Sequence, residues 1–222
     1  MNALRKAIAT LVLLVAAVAP AGARTDEPFY YLNPAALDLT VFLPPPPDVS
    51  SPMGRADEQQ VAAIVAARSR TEMFQAEEEA KRTVFFFEPS IGPGFTEQRL
   101  PVTAAFFKRV GSDVRGLVDL AKSYWQRPRP DGGKQRSYPS DHAAFGAACA
   151  ILLGELLPAK RDAVFNQART FAENRIVLGV HYPSDVASGW TAGTLAAYAM
   201  LHNEAFQRDF AAARAELRRA NI

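Results

Sequence analysis

Three short stretches of this 222-residue chain hold polar side chains where the surrounding pattern asks for apolar ones. In the first, Lys122, Arg127 and Arg129 crowd together just ahead of a proline-rich turn. In the second, Pro139-Ser140 reads as an extended residue followed by a helix N-cap. His142 then extends the apolar stripe Phe145, Ala148, Cys149, Leu152, Leu153 and Leu156. The free N–H groups of such a helix start suit a phosphate oxygen. A histidine beside a bound anion could hand a proton to a leaving oxygen. In the third, Arg175 shares a helical face with Val164, Ala168, Phe171 and Leu178, where a guanidinium is costly unless an anion pairs with it. His181 stands in the tight turn between Gly179 and Pro183, with Asp185 in the first turn of the next helix. Such an Asp could accept one imidazole N–H, fix the tautomer and leave the other nitrogen as a nucleophile.

Each feature alone has a plain structural reading. Arg175 could snorkel to solvent or meet a structural carboxylate. Asp185 could complement the helix dipole, and the three cations could belong to a solvated loop. Several cations, a helix-start anion site and two histidines in different roles make phosphate chemistry the economical explanation of the set.

The elements that must carry these residues read as helices. Residues 57–82, rich in Ala, Glu, Gln and Arg, predict one helix with Asp57 at its cap. Apolar residues at spacings of three and four predict another over 101–125, with Val110, Val114, Leu117, Val118 and Ala121 on one face. Further helices are expected over 142–157, about 160–178, and from Ser184 through the uncharged stretch 186–203. The segments 85–95 and 128–139, broken by Pro and Gly, read as loops. Residues 24–56, with Pro44-Pro45-Pro46-Pro47, read as an irregular arm lying on its own domain. With no β alternation, the expected fold is an all-α, single-domain helical bundle over 57–222.

The spacing Lys122-x6-Arg129-Pro130, Pro139-Ser140-Asp141-His142 and Asn174-Arg175-x5-His181-x3-Asp185 resembles the three-part signature of the type 2 phosphatidic acid phosphatase superfamily, which also holds vanadium haloperoxidases. Nine fixed positions match in order. The LPPPP segment at 43–47 and the charged helices look most like the soluble branch, the bacterial class A non-specific acid phosphatases. The resemblance implies hydrolysis of phosphate monoesters without metal or cofactor and with a broad substrate range. It assigns His181 as the nucleophile that becomes phosphohistidine, Asp185 as its orienting partner, and His142 as the acid and then the base. Lys122, Arg129 and Arg175 would hold the phosphate oxygens, with Ser140 and the Asp141 backbone N–H adding hydrogen bonds. Two positions depart from the pattern: Asp141 replaces the usual Gly, and Asn174 replaces the usual Ser. The gap 131–138 is also shorter than usual. Asp141 matters most, since inward it would repel phosphate and outward only its N–H would count.

Competing readings remain open on residues alone. A phosphatase of lipid phosphates or polyprenyl diphosphates would use the same groups, as would a haloperoxidase, which vanadate should activate and not inhibit. A metal hydrolase could use His142, His181 and Asp185, although Pro183 spoils a simple helical ligand pair. A non-catalytic phosphate-binding relative is the remaining alternative. His202 has no motif partner and reads as structural.

Composition bounds the rest. Residues 1–23 carry Arg5 and Lys6, an apolar run over 7–19, Pro20 and the small residues Ala21-Gly22-Ala23. That is the form of a secretory signal cleaved after Ala23, and the run falls short of the roughly 20 residues a spanning helix needs. The expected location is the periplasm or the medium. Arg5 and Lys6 are the only charges before Arg24, so residues 24–222 hold 23 bases against the 23 acids and the net charge of +2 belongs to the leader. Nothing in that balance points to a nucleic-acid partner. Charged helices argue against stable membrane insertion, and the expected partner is a small phosphomonoester, with a homo-oligomer possible. Lone Cys149 excludes an internal disulfide and a cysteine-based zinc site.

Overall fold

Helix α6, Asp141–Leu156, is apolar on almost every side, and the fold is built around it. A computed structural model describes residues 29–222; the expected signal at 1–23 lies outside the described residues. Among those residues there are nine α-helices, two 3-10 turns and no strand. The chain passes through α1 (Leu39–Phe42), α2 (Pro52–Ala67), α3 (Arg70–Glu78), α4 (Glu88–Ile91) and the long α5 (Pro101–Trp125). After α6 come α7 (Arg161–Val177), α8 (Pro183–Leu201) and α9 (Glu204–Arg219). Helix α6 packs on α5, α7 and α8, and α9 closes the far side of α5. The all-α expectation holds.

The apolar stripe of α5 buries Phe106, Phe107, Val110, Val114, Leu117, Val118 and Ala121 in one continuous core with α6. Its N-terminus has no side-chain cap of its own. Glu216 of α9 serves instead, its carboxylate accepting from the Val102 and Thr103 amides at 3.0 and 2.7 Å. Further along the same helix, buried Asp113 accepts from the backbone N–H groups of Tyr30, Tyr31 and Leu32 at 2.7–2.9 Å. The proline run is tied down as well, with the Tyr138 hydroxyl donating to the Pro44 carbonyl at 2.5 Å.

The α6–α8 seam positions the site. Gly189 and Gly193 face the Ser140 and Ala144 carbonyls so closely that a Cβ at either would run into backbone. This approach lets the Ser140 N–H donate to the Asp185 carbonyl at 2.9 Å, which joins the start of α6 to the start of α8. Gly179, at φ +74°, ends α7 and turns the chain toward α8.

Some local expectations need correction. Residues 57–82 are not one helix. The chain is extended at Arg68, and Ser69 starts α3 with a capping box to Glu72. Asp57 does not cap: Ser51 does, six residues before the cap expected from the sequence. Ser184 lies inside α8, whose N-cap position is Tyr182. The expected loop 85–95 is not all loop: Val84–Phe87, with Val84 and Phe87 buried, form a 3-10 turn that runs into α4.

Candidate active site

Lys122 lies in the last turn of α5, its Nζ donating to the Arg136 and Ser137 carbonyls at 2.7 and 3.4 Å. The short loop after α5 closes on itself: the Ser137 N–H donates to the Arg127 carbonyl at 2.9 Å and its hydroxyl to Pro128 at 2.9 Å. Within it Arg129 donates to Gln135 at 2.9 Å. These internal bonds hold the first two cations although only eight residues separate Pro130 from Pro139.

Ser140 is buried at the N-cap of α6, where its hydroxyl accepts from the Ala143 N–H at 3.4 Å. The amides of Asp141 and His142 then sit in the first turn, with no intrahelical carbonyl to meet. Opposite, Arg175 is 3% exposed on the inner face of α7, and its guanidinium donates to the Ala76 carbonyl of α3 at 2.6 Å. His181 is 1% exposed, with Nδ1 3.4 Å from Asp185 Oδ2. At that length no hydrogen bond is formed, and Nδ1 is left without a hydrogen-bond partner.

The charges see one another across this space. Lys122 and Arg129 both face His181, Arg175 faces His142, and Arg129 also faces Arg175. The structure thus gathers all eight residues singled out above: Lys122, Arg129, Ser140, Asp141, His142, Arg175, His181 and Asp185. Burial brings the Lys122 ammonium down to about 8, against an upward pull from Asp141. Burial likewise brings Arg175 to about 10 and His181 to about 4, with Asp185 resisting the fall at His181. His142 is also pushed down, first by burial and then by Arg175. Its Nε2 lies 3.0 Å from the Ala80 carbonyl. A carbonyl only accepts, so Nε2 carries the proton and Nδ1 is the nitrogen left for another partner.

Four buried donors have no acceptor: Nε of Arg82, Arg129 and Arg175, and Nδ1 of His181. Buried polar groups are almost always satisfied, and the three arginine Nε groups are donors that a bound anion could meet. Among the described residues no three His, Cys, Asp or Glu side chains gather as a metal-ligand group.

Two arrangements were not visible in the sequence. Arg127, grouped there with a solvated loop, is 6% exposed and clamps the site from behind. It donates to Asp185 Oδ1 at 2.6 Å, to Asp57 Oδ2 at 2.8 Å and to the Ser184 hydroxyl at 2.7 Å, and it stacks on Tyr182 at 4.1 Å. Asp185 Oδ2 also accepts from the Tyr182 N–H at 2.8 Å. Burial raises the Asp185 carboxyl, but His181 and Arg127 outweigh it and hold the group below the usual carboxylate range. The signal was Asp57 itself, an acid four residues before Val61 on the buried face of α2.

The other arrangement is a wall formed by residues 76–82. Ala76 and Ala80 carbonyls meet Arg175 and His142, Glu79 accepts from Asn174 at 2.7 Å, and Arg82 pairs with Asp141. Both departures from the motif therefore have partners here. Burial would raise the Asp141 carboxyl, but Arg82, His142, Arg115 and Lys122 together leave it lowered. Trp125 and Tyr138 pack edge-on against each other at 4.9 Å, and His202 bonds within α8 to the Tyr198 carbonyl.

Comparison with known proteins follows the same lines. The chain matches the PAP2 superfamily over residues 110–209, which includes every residue of the three motifs. It is 31% identical to an acid phosphatase of Zymomonas mobilis over 205 residues, covering 82% of this chain and 76% of that protein. It is 28% identical to a non-specific acid phosphatase of Salmonella typhimurium, covering 90% of this chain and 87% of that one. A transmembrane PAP2-type phosphatidylglycerolphosphate phosphatase from Bacillus subtilis shares the fold, with a TM-score of 0.51 and 20% identity over 69% of this chain and 87% of its own. No helix among the described residues here is long and apolar enough to cross a membrane.

Proposed function

Because the chain belongs to the PAP2 superfamily and is a phosphoric monoester hydrolase, we propose that it works through a covalent phosphohistidine on His181. The observation that carries this reading is a buried histidine flanked by Asp185 on one side and by Arg129 on the other, with the unpartnered Nε groups of Arg129 and Arg175 beside it and His142.

In the first step His181 Nε2 attacks phosphorus, forming the P–N bond as the bond to the ester oxygen breaks. The imidazole must be neutral to attack, and burial keeps it so above about pH 4. Asp185 takes up the charge that grows on Nδ1, and Arg127 with Asp57 fixes Asp185 in place. His142, protonated at Nδ1, gives that proton to the leaving alkoxide. Charge on the three equatorial oxygens is spread over Lys122, Arg129, Arg175, the Ser140 hydroxyl and the first amides of α6. In the second step neutral His142 takes a proton from water, the oxygen attacks phosphorus, and the P–N bond breaks to free phosphate and His181. No step requires a metal.

A bound phosphate should raise the depressed His142 toward the value an acid needs, because a dianion beside it offsets Arg175. The substrates are small phosphomonoesters in a broad range, and the leader at 1–23 would send the protein out of the cytoplasm. The helical domain follows a proline-rich N-terminal arm that ends ahead of α2. Turnover of aryl phosphates with graded leaving groups, in chelator, tests the reading. His142→Ala should lose more with poor leaving groups than with good ones. Equal losses, or loss of all activity in chelator, would count against it.

A further inference from the structure

Four motif residues touch one short stretch of chain to which the reaction above gives no step of its own. It is segment 70–82, made of α3 and the turn that follows. The Ala76 carbonyl accepts from the Arg175 guanidinium at 2.6 Å, and Glu79 Oε2 accepts from Asn174 Nδ2 at 2.7 Å. The Ala80 carbonyl lies 3.0 Å from His142 Nε2, and Arg82 pairs with Asp141.

Little else holds the segment down. Helix α3 packs chiefly on α7 and buries Ala76 alone, and its Phe74 is 62% exposed. The chain is extended on both sides, at Arg68 and Ser69 before it and at Thr83 after it, and rejoins the core only at Val84. An element with so few buried apolar contacts, set between two extended joints, opens more readily than the helices beneath it. Its grip comes from polar contacts with the site itself.

On this geometry docking and phosphate binding favour each other. With the segment down, His142 keeps its Nε2 proton on Ala80 and leaves Nδ1 for the substrate. Asp141 is paired with Arg82, and Arg175 keeps an Nε without an acceptor. With the segment lifted, Asp141 stands unpaired beside the anion and His142 loses the acceptor that sets its tautomer.

We propose that segment 70–82 is a strap that lifts to admit the ester and docks on the site when phosphate is bound, with Glu79 as its latch on Asn174. A ligand that binds only the docked state holds the strap shut by linkage. The inference rests on the reading above only in taking phosphate to bind beside Arg175 and His142.

Hydrogen exchange of the full protein, followed in peptides from 70–82 and from α6, reads the strap directly. Inorganic phosphate is the probe, its binding measured by calorimetry. Without phosphate, 70–82 should exchange faster than α6. Phosphate at ten times its Kd should slow exchange over 70–82 about tenfold. Glu79→Ala should speed exchange there about tenfold without phosphate, as loss of one charged hydrogen bond gives. Glu79→Gln, whose amide oxygen still accepts from Asn174, should speed it less, and Glu78→Ala, at an exposed neighbour, should leave it unchanged. Exchange over 70–82 as slow as in α6, or phosphate that binds without slowing it, would overturn the strap and leave the phosphatase reading standing. Phosphate that speeds exchange would overturn it too, since strap and anion would then compete. Native exchange in Glu79→Ala would overturn Glu79 as the latch. If phosphate does not bind at all, the phosphatase reading falls and the strap with it.

Discussion

Arg82 decides what an acid at the start of α6 does. Alone, Asp141 would set a negative charge beside the proposed phosphate, but its carboxylate is paired with Arg82 and only its N–H is left for the anion. Breaking such a pair from one side leaves a nearly buried charge unmet, which costs more than removing both partners. Arg82→Ala should therefore raise KM for phenyl phosphate by about tenfold or more, and adding Asp141→Gly should restore most of the loss. Steady-state kinetics of the three variants check this; a double variant no better than the single would show that Asp141 does not repel substrate. The motif residues were legible because their types suit phosphate chemistry and their spacing within 122–185 resembles a known family signature. Arg82 with Asp141 and Asp57 with Arg127 were not, since these partners stand 59 and 70 residues apart. No local pattern couples such distances.

The start of α8 carries His181 and Asp185, and two helices fix its place. Helix α2 holds it through Asp57 and Arg127, and α6 holds it across the glycine seam. Asp57→Asn should weaken the grip of Arg127 on the site and lower kcat about tenfold with little change in KM, as a small misplacement of reacting groups does. A change in KM alone would point to a role in binding. Gly193→Ala should push α8 off the Ala144 carbonyl and cost about 1–3 kcal/mol of stability, read from denaturant unfolding. Unchanged stability would mean the seam can relax. Helices α5 to α8 were readable from their apolar spacing, because one face of each meets the core. The break at Arg68–Ser69 was missed, since composition on both sides is equally helical and only the cap at Ser69 marks it.

Charge is spent locally while the molecule stays near neutral, and folding suppresses protonation of two of its histidines. His181 falls from an ordinary 6.5 to about 4, and His142 moves the same way, both mainly through burial. Below pH 6.5 the unfolded chain binds protons that the folded protein refuses, so stability is lost as pH falls from about 6.5 toward about 4. Tm measured across that window should fall more steeply for the native protein than for His142→Asn/His181→Asn; parallel curves would contradict it. Above about pH 8 activity should decline as Lys122 loses its proton. The central claim is the covalent intermediate, and rapid acid-free quenching of the protein with a fast-leaving aryl phosphate tests it most directly. Peptide mass spectrometry should then find a phosphoryl group on His181, stable in alkali and labile in acid, and none in a folded His181→Ala variant. A phosphoryl group on any other residue, or full turnover by His181→Ala, would contradict the account.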